Sequence, residues 1–408
     1  MRLKDIAYIN PAYTGPDLGD QLVSFSPMEC LRYDSLKPIT ISFSEAKGKY
    51  TFFKDNDILF AKVTPCFENQ NIAIANNLVN GIGFGSSEIN VLRLKSDASL
   101  RYMFYVICSN RFYNTGCSSM CGVGGLKRIN PRAVSTFEFT MPSLVEQEAI
   151  AAYLDKECEK IGRKIELLER KADAYSRLRR SLINRAVTRG LDPNVSLKPS
   201  GNNWIGDIPQ HWGDERVEKY FHNNTSYNKD FQYKHAFKFF KGTIIHKDET
   251  FEEDEYQDTY EKYTIVEPND IIINGLNLNY DLKSMRVGKV TENGIITSAY
   301  IVLRPYNNVC SDFFNYLFKA FDYRKFFHGM GKGIRLTLSF NELRYFEIPI
   351  PPIDEQKKIA AYLDEKCAKI DAILEKINTE VERLKELKRS LINEVVTGQR
   401  AIDTESHS

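Results

Sequence analysis

Asp17, Glu45 and Lys47 are the first residues of this 408-residue chain whose types and spacing could do chemistry. Two carboxylates can hold a magnesium ion, and a nearby lysine can offset charge on a phosphate, as loose nuclease patterns require. The pattern is short and has no copy in the second half of the chain, so no nuclease activity is read from it. Asn10-Pro11-Ala12-Tyr13 comes close to the N-P-P-Y tetrapeptide of amino-methyltransferases, with alanine in place of the second proline. That motif works in a doubly wound sheet beside a glycine-rich cofactor turn. The helical stretches of this chain fall in the wrong places for such a sheet. The six histidines make no H-E-x-x-H spacing, and Cys117 and Cys121 have no second ligand pair nearby. None of these patterns is read as a catalytic or metal site.

Residues suited to contact rather than catalysis are better represented. Gly122-Val123-Gly124-Gly125-Leu126-Lys127-Arg128 parallels Gly329-Met330-Gly331-Lys332-Gly333-Ile334-Arg335. Glycine lets a main chain approach a phosphate closely, and Lys127, Arg128, Lys332 and Arg335 supply positive charge. Lys62 follows the strand-like run Asp57-Ile58-Leu59-Phe60. Asn274 and Asn277 follow its counterpart, Asp270-Ile271-Ile272-Ile273. Amides and ammonium groups of this kind can reach base edges in a DNA groove. The plainer reading is of ordinary loops whose charges are solvated. Lys and Arg number 55 against 54 Asp and Glu. That balance excludes a uniformly basic binder, so any basic surface is local.

The elements that would position these residues occur twice. Glu146-Gln147-Glu148-Ala149-Ile150-Ala151-Ala152-Tyr153-Leu154-Asp155 returns as Glu355-Gln356-Lys357-Lys358-Ile359-Ala360-Ala361-Tyr362-Leu363-Asp364, at an offset of 209 residues. The register holds to Arg180-Ser181-Leu182-Ile183-Asn184 and Arg389-Ser390-Leu391-Ile392-Asn393. So wide an offset marks two half-molecules rather than a solenoid, and it implies approximate twofold symmetry and a target with two parts. Residues 1–141 form a mixed region with strand candidates at 58–61, 89–94 and 136–139. Residues 142–190 form a long helix, 191–205 a polar linker, and 206–350 a second mixed region with strand candidates at 271–273, 299–303 and 346–348. Residues 351–398 form a second long helix, and 399–408 a polar tail.

The helix boundaries carry their own signals. Ser143 and Glu146 make a capping box, Pro351-Pro352 precede the second helix, and Gly190 and Gly398 stand at the stops. Between them Ile161, Ile165, Leu168, Ala172, Tyr175 and Leu182 keep a heptad rhythm, as do Ile370, Leu374, Ile377, Val381, Leu384, Leu391 and Val395. Each helix would run roughly 60 Å, and antiparallel pairing of the two seams within one chain is expected. Arg179 and Lys388 fall on seam positions, which predicts a splayed or wet end there. Over residues 160–190 ten basic residues face three acidic ones. This reads as a solvated or partner-facing surface, with a face over DNA as the alternative.

Together these features resemble the specificity subunit of a type I restriction–modification system. The resemblance rests on the repeated E-Q-x-x-I-A-x-Y-L-D after proline, on L-x-R-S-L-I-N near each helix end, and on the two-hundred-residue spacing. It also rests on Trp204-Ile205-Gly206-Asp207-Ile208-Pro209-Gln210-His211-Trp212, similar to the family's lead-in to a recognition domain. The first domain has no equivalent lead-in and begins almost directly at Met1. The resemblance implies an α+β fold: two similar target recognition domains separated by two long antiparallel coiled-coil helices. Each domain would read one half of a bipartite, asymmetric double-stranded DNA site, with the helices setting the spacer. It further implies two adenine methyltransferase subunits using S-adenosylmethionine, restriction subunits using ATP and Mg²⁺, and no catalytic site or cofactor in the specificity subunit itself. Alternatives are the specificity component of a stand-alone adenine methyltransferase, or a helical adaptor that never touches nucleic acid. The scattered eight cysteines, the absence of a signal peptide and the lack of a 20-residue apolar run point to a reduced, cytoplasmic, soluble protein.

Overall fold

The computed structural model describes residues 1–402 except 96–97, 123–124, 241, 248–256, 281, 283, 307 and 334–335. The chain divides into two compact units, Met1–Glu169 with Asn378–Ser408, and Arg170–Ile377. Both divisions fall inside long helices, which run Leu144–Arg189 and Ile353–Val396.

In the first unit the central antiparallel sheet has the order Ala7–Ile9, Ile89–Leu94, Ile58–Ala61, Ile72–Ile74. Ile58–Ala61 is buried throughout because both faces of the sheet are covered. Ile58 and Phe60 enter one core with the helix Leu100–Cys108. Leu59, between them, enters a second core with Leu31, Phe53 and Val91. Side chains alternate along a strand, so an all-apolar run feeds two cores at once. A second sheet, ordered Ile39–Ser42, Leu22–Ser26, Ile82–Gly85, Thr51–Lys54, extends this unit.

The second unit repeats the central sheet as Phe221–Asn223, Ile301–Pro305, Ile271–Ile273, Val287–Lys289. Ile271 and Ile273 pack with the helix Ser311–Tyr323, and Ile272 packs on the other face with Phe237, Val266 and Val302. Its outer layer differs: the pairs Phe237–Phe240 with Thr243–His246, and Thr264–Val266 with Gly294–Ile296, stand where the first unit has a four-stranded sheet. A buried ion pair also recurs. Arg93 grips Asp57 through two hydrogen bonds of 2.9 and 2.7 Å, and Arg304 grips Asp270 through two of 2.9 and 2.8 Å. Both carboxylates are almost wholly inside.

The repeated decapeptide is explained by what it touches. Gln147 Oε1 accepts the Ser99 N–H (2.9 Å) while its Nε2 donates to the Pro142 carbonyl (2.9 Å). Gln356 does the same with the Cys310 N–H (3.1 Å) and the Pro351 carbonyl (2.8 Å). Asp155 accepts from the Tyr105 hydroxyl at 2.6 Å, and Asp364 from Tyr316 at 2.7 Å. Ala151, Leu154 and Cys158 complete the first core, joined by Leu391, Ile392 and Val395 from the far end of the other helix. Ala360, Leu363 and Cys367 complete the second core, joined by Ile183, Ala186 and Val187. Each unit thus holds the head of one long helix against the tail of the other. Within the units the two run antiparallel: Lys164 pairs with Glu380 in the first, and Arg179 with Asp371 in the second.

The wet end expected at the seam charges is seen at Lys388, which lines an open cavity of about 820 Å³ with Tyr33 and Ile165. Arg179 donates to the Tyr323 hydroxyl (2.5 Å) and pairs with Asp371, while the Lys388 ammonium lies 4.1 Å from the centre of the Tyr33 ring. The adjoining domain supplies a partner for each charge. Two strand expectations from the sequence are corrected. Residues 136–139 do not form a strand: Glu138 makes one isolated bridge to Arg2, and Phe137 and Phe139 turn into the core. In the second unit the corresponding Glu347–Ile350 finds a full partner in Gly213–Arg216. The strand expected over 299–303 begins at Ile301, because Tyr300 closes a turn on the Thr297 carbonyl. Within 191–205, Leu197–Pro199 pairs with Asp207–Pro209. The residues that follow anchor the second unit: Ile205, Ile208 and Trp212 are buried, and Trp212 Nε1 donates to Glu355 (3.1 Å).

Candidate nucleic-acid interface

The described residues among those expected to make contact fall into two groups, one in each unit. In the first, Cys121 and Arg128 exchange main-chain hydrogen bonds of 3.0 and 2.9 Å, closing the glycine-basic stretch into a hairpin. The hairpin docks on the segment that leaves Ile58–Ala61. Ile129 N–H donates to the Lys62 carbonyl (2.9 Å), and Thr64 N–H to the Lys127 carbonyl (2.9 Å). The Thr64 hydroxyl donates to the Gly125 carbonyl and accepts from the Lys127 N–H. Gly122 is needed: its φ is +151°, and a Cβ there would lie 2.3 Å from the Leu126 carbonyl oxygen.

The second cluster repeats the design. Lys332 and Thr337 exchange main-chain bonds of 3.0 and 2.9 Å, and Leu338 N–H donates to the Gly275 carbonyl (2.9 Å). A Cβ on Gly275 would lie 2.3 Å from the Leu338 carbonyl oxygen, so this contact also demands glycine. Asn274 caps its own turn by accepting the Leu276 N–H (3.1 Å). Asn277 is exposed with a left-handed φ of +50°. Arg335, with Ile334, lies outside the described residues, as do Val123 and Gly124.

The charges differ between the clusters. Lys127 is exposed. Arg128 meets Glu88 in a two-pronged ion pair (2.9 and 2.8 Å), which holds the Glu88 carboxyl below the usual carboxylate range. Lys332 is largely exposed and reaches Glu342 at 3.3 Å. Sequence reasoning missed Glu88 and Thr64. Glu88 was visible in the parallel of Ser86-Ser87-Glu88-Ile89 with Thr297-Ser298-Ala299-Tyr300, where the second copy has alanine.

The residues first considered for catalysis are placed elsewhere. Asp17 and Lys47 meet as an ion pair of 2.9 Å, with the Asp17 side chain 70% exposed. Asn10 bonds Asn90 and the Val91 N–H at the sheet, and Tyr13 packs on Phe43 and Phe52. Among the described residues no three metal-ligating side chains gather, and no helix is long and apolar enough to cross a membrane.

The family model described as "Type I restriction modification DNA specificity domain" matches the chain twice, over residues 4–171 and 210–383. The chain belongs to this specificity-domain family. Among curated relatives, the type I restriction enzyme EcoEI specificity subunit of Escherichia coli is 36% identical over 158 residues, 38% of this chain and 26% of the relative. The EcoAI specificity subunit of the same species is 38% identical over 152 residues, 36% of this chain and 26% of that one. Each match therefore spans about a quarter of the relative's length. Among solved structures, a chain described in work on "complex assembly" and "conformational transition of the type I R-M system" aligns over 98% of this chain and 97% of its own. Its TM-score is 0.71 at 16% identity. The HsdS subunit from Thermoanaerobacter tengcongensis aligns over 98% and 96%, with a TM-score of 0.50 at 16% identity. Both likenesses concern the specificity-domain fold: two α+β domains linked by long helices.

Proposed function

We propose that the chain is the DNA-reading specificity subunit of a type I restriction–modification system and is itself non-catalytic. Each domain reads one half of a bipartite, asymmetric site in double-stranded DNA. The paired helices set the unspecified gap between the halves. Methyltransferase subunits carrying S-adenosylmethionine, and restriction subunits using ATP and Mg²⁺, assemble on it.

The observation that carries this reading is the pair of matched clusters. In each unit a hairpin rich in glycine and basic residues is clamped to the loop after the same strand, on an otherwise shared scaffold. A common frame with dissimilar loops is what two readers of two different half-sites need. Exposed lysines can meet phosphates and fix register, while exposed amides such as Asn277 can reach base edges. Family membership supplies the partner classes.

Methylome sequencing of a host expressing the chain with its methyltransferase tests the proposal. The expected result is adenine methylation in a two-part motif with a fixed gap. Methylation of a single continuous motif, or no new methylation, would refute it.

A further inference from the structure

The 209-residue repeat gives each residue of one long helix a counterpart in the other, so the two units can be compared position by position. Arg179 in the second unit corresponds to Lys388 in the first, and Asp371 corresponds to Gly162. The surroundings of the two cations match. Burial pushes the Cys367 thiol up and Arg179 opposes the rise; Lys388 stands in the same relation to Cys158. Each cation also meets a domain tyrosine, Tyr323 for Arg179 and Tyr33 for Lys388.

One component is missing from the first unit. Arg179 has the Asp371 carboxylate at 3.0 Å. Lys388 is half-buried, sits 4.1 Å from the centre of the Tyr33 ring, and makes no ion pair among the described residues. Gly162 has no carboxylate to offer, and a Cβ there would meet open space. Lys388 opens instead on the cavity of about 820 Å³, with Ile165, one turn along the helix from Gly162, in its wall. An ammonium partly withdrawn from water gains most from a carboxylate that it can hydrogen-bond.

The rest of the wall narrows the class of ligand. Arg389 adds a second cation without an ion pair among the described residues. Glu382 is taken up by Lys385 at 2.9 Å, but Glu68 and Glu386 have no ion pair among the described residues. Unpaired charges of both signs complement a ligand that carries both. The volume is that of small-molecule pockets, and Asn69, Asn110 and Asn114 add amides for hydrogen bonds.

We propose that this cavity binds a small zwitterion of the amino-acid class, whose carboxylate takes on Lys388 the place that Asp371 fills on Arg179, and whose ammonium meets the wall glutamates. This goes beyond the DNA reading and does not depend on it. The ligand would touch the tail of the second long helix, the loop after Ile58–Ala61 and the helix Asn110–Ser118 at once, so binding should raise the thermal midpoint.

The test uses the purified full chain with the standard L-amino acids, each alone, read by thermal unfolding and by saturation-transfer NMR. At least one is expected to raise the midpoint and to give transfer signals. Its analogues lacking the amino group or the carboxylate should bind about tenfold more weakly. Lys388→Met keeps an apolar stem beside Tyr33 and should weaken binding by a similar factor. Gly162→Asp supplies the carboxylate internally, so it should raise the midpoint of the ligand-free chain and abolish binding. The proposal is overturned if no amino acid binds, if binding survives both substitutions, or if the acid without its amino group binds as well as the amino acid. It is also overturned if no amino acid binds and Gly162→Asp releases the methyltransferase, which would make the missing carboxylate a partner's side chain.

Discussion

Asp57 and Asp270 show how single residues anchor each recognition scaffold. Each is almost wholly inside and balanced by one arginine from the neighbouring strand. Removing the arginine strands a buried carboxylate, so Arg93→Ala should destabilise the protein by about 3–5 kcal/mol in chemical denaturation. Asp322 is a different case: burial pushes its carboxyl from 3.8 up to about 6, although the Arg286 N–H opposes the rise. The folded state keeps a proton there that the unfolded chain has already lost. Stability from this group is full below about pH 4 and is lost as pH rises through 6. Asp322→Asn should remove that dependence and leave the protein more stable near neutral pH, by on the order of 3 kcal/mol, read from thermal or urea unfolding across pH. At the interface, charge accounting separates two neighbours. Lys127→Ala should flatten the dependence of log affinity on log salt by about one unit. Glu88→Gln frees Arg128 from its two-pronged partner and should steepen the same plot; an unchanged slope would remove Arg128 from the phosphate contacts.

Among the elements, the long helices were legible because their signals are local: caps, stops and a heptad rhythm that needs no knowledge of the partner. Even the repeated Gln147 and Gln356 stood out, although their reason did not. Each bonds back to the proline carbonyl before its helix and across to the main chain that opens a domain helix, a pairing visible only in three dimensions. Replacing either glutamine by alanine should cost about 1–2 kcal/mol in urea unfolding, and the two losses should add, since they lie in separate units. The central strands were legible as apolar runs; their edges were not. Residues 136–139 have a strand-like alternation, yet they gain only the single bridge to Arg2, and propensity yields to the partner available. The seam charges marked a wet break in the seam without showing their partners. Arg179 and Lys388 look expensive against a facing helix, but the partners that receive them, Tyr323 and Tyr33, belong to the domains. The basic loops stood out in the sequence, whereas Glu88's hold on Arg128 spans 40 residues and has no local sign.

At the scale of the whole molecule, the division of labour between helices and domains governs what can be exchanged. The second core draws Ile183, Ala186 and Val187 from the first long helix and Ile359, Leu363 and Cys367 from the second. A transplanted domain must fit these fixed side chains, and also supply an aromatic hydroxyl for Arg179, a tyrosine for Asp364 and an indole N–H for Glu355. Residues 206–350 carry all three partners, the acceptor Tyr323 and the donors Tyr316 and Trp212, so the exchange can be made within one continuous segment. Replacing that segment with the matching segment of a relative that keeps these three residues should leave unfolding stability within about 1 kcal/mol. The methylated motif should then change in one half only, with the gap preserved, because the helices and the first domain are untouched. A change in both halves would mean that the domains do not read independently. A change in the gap alone would mean that spacing is set by the recognition loops rather than by the paired helices.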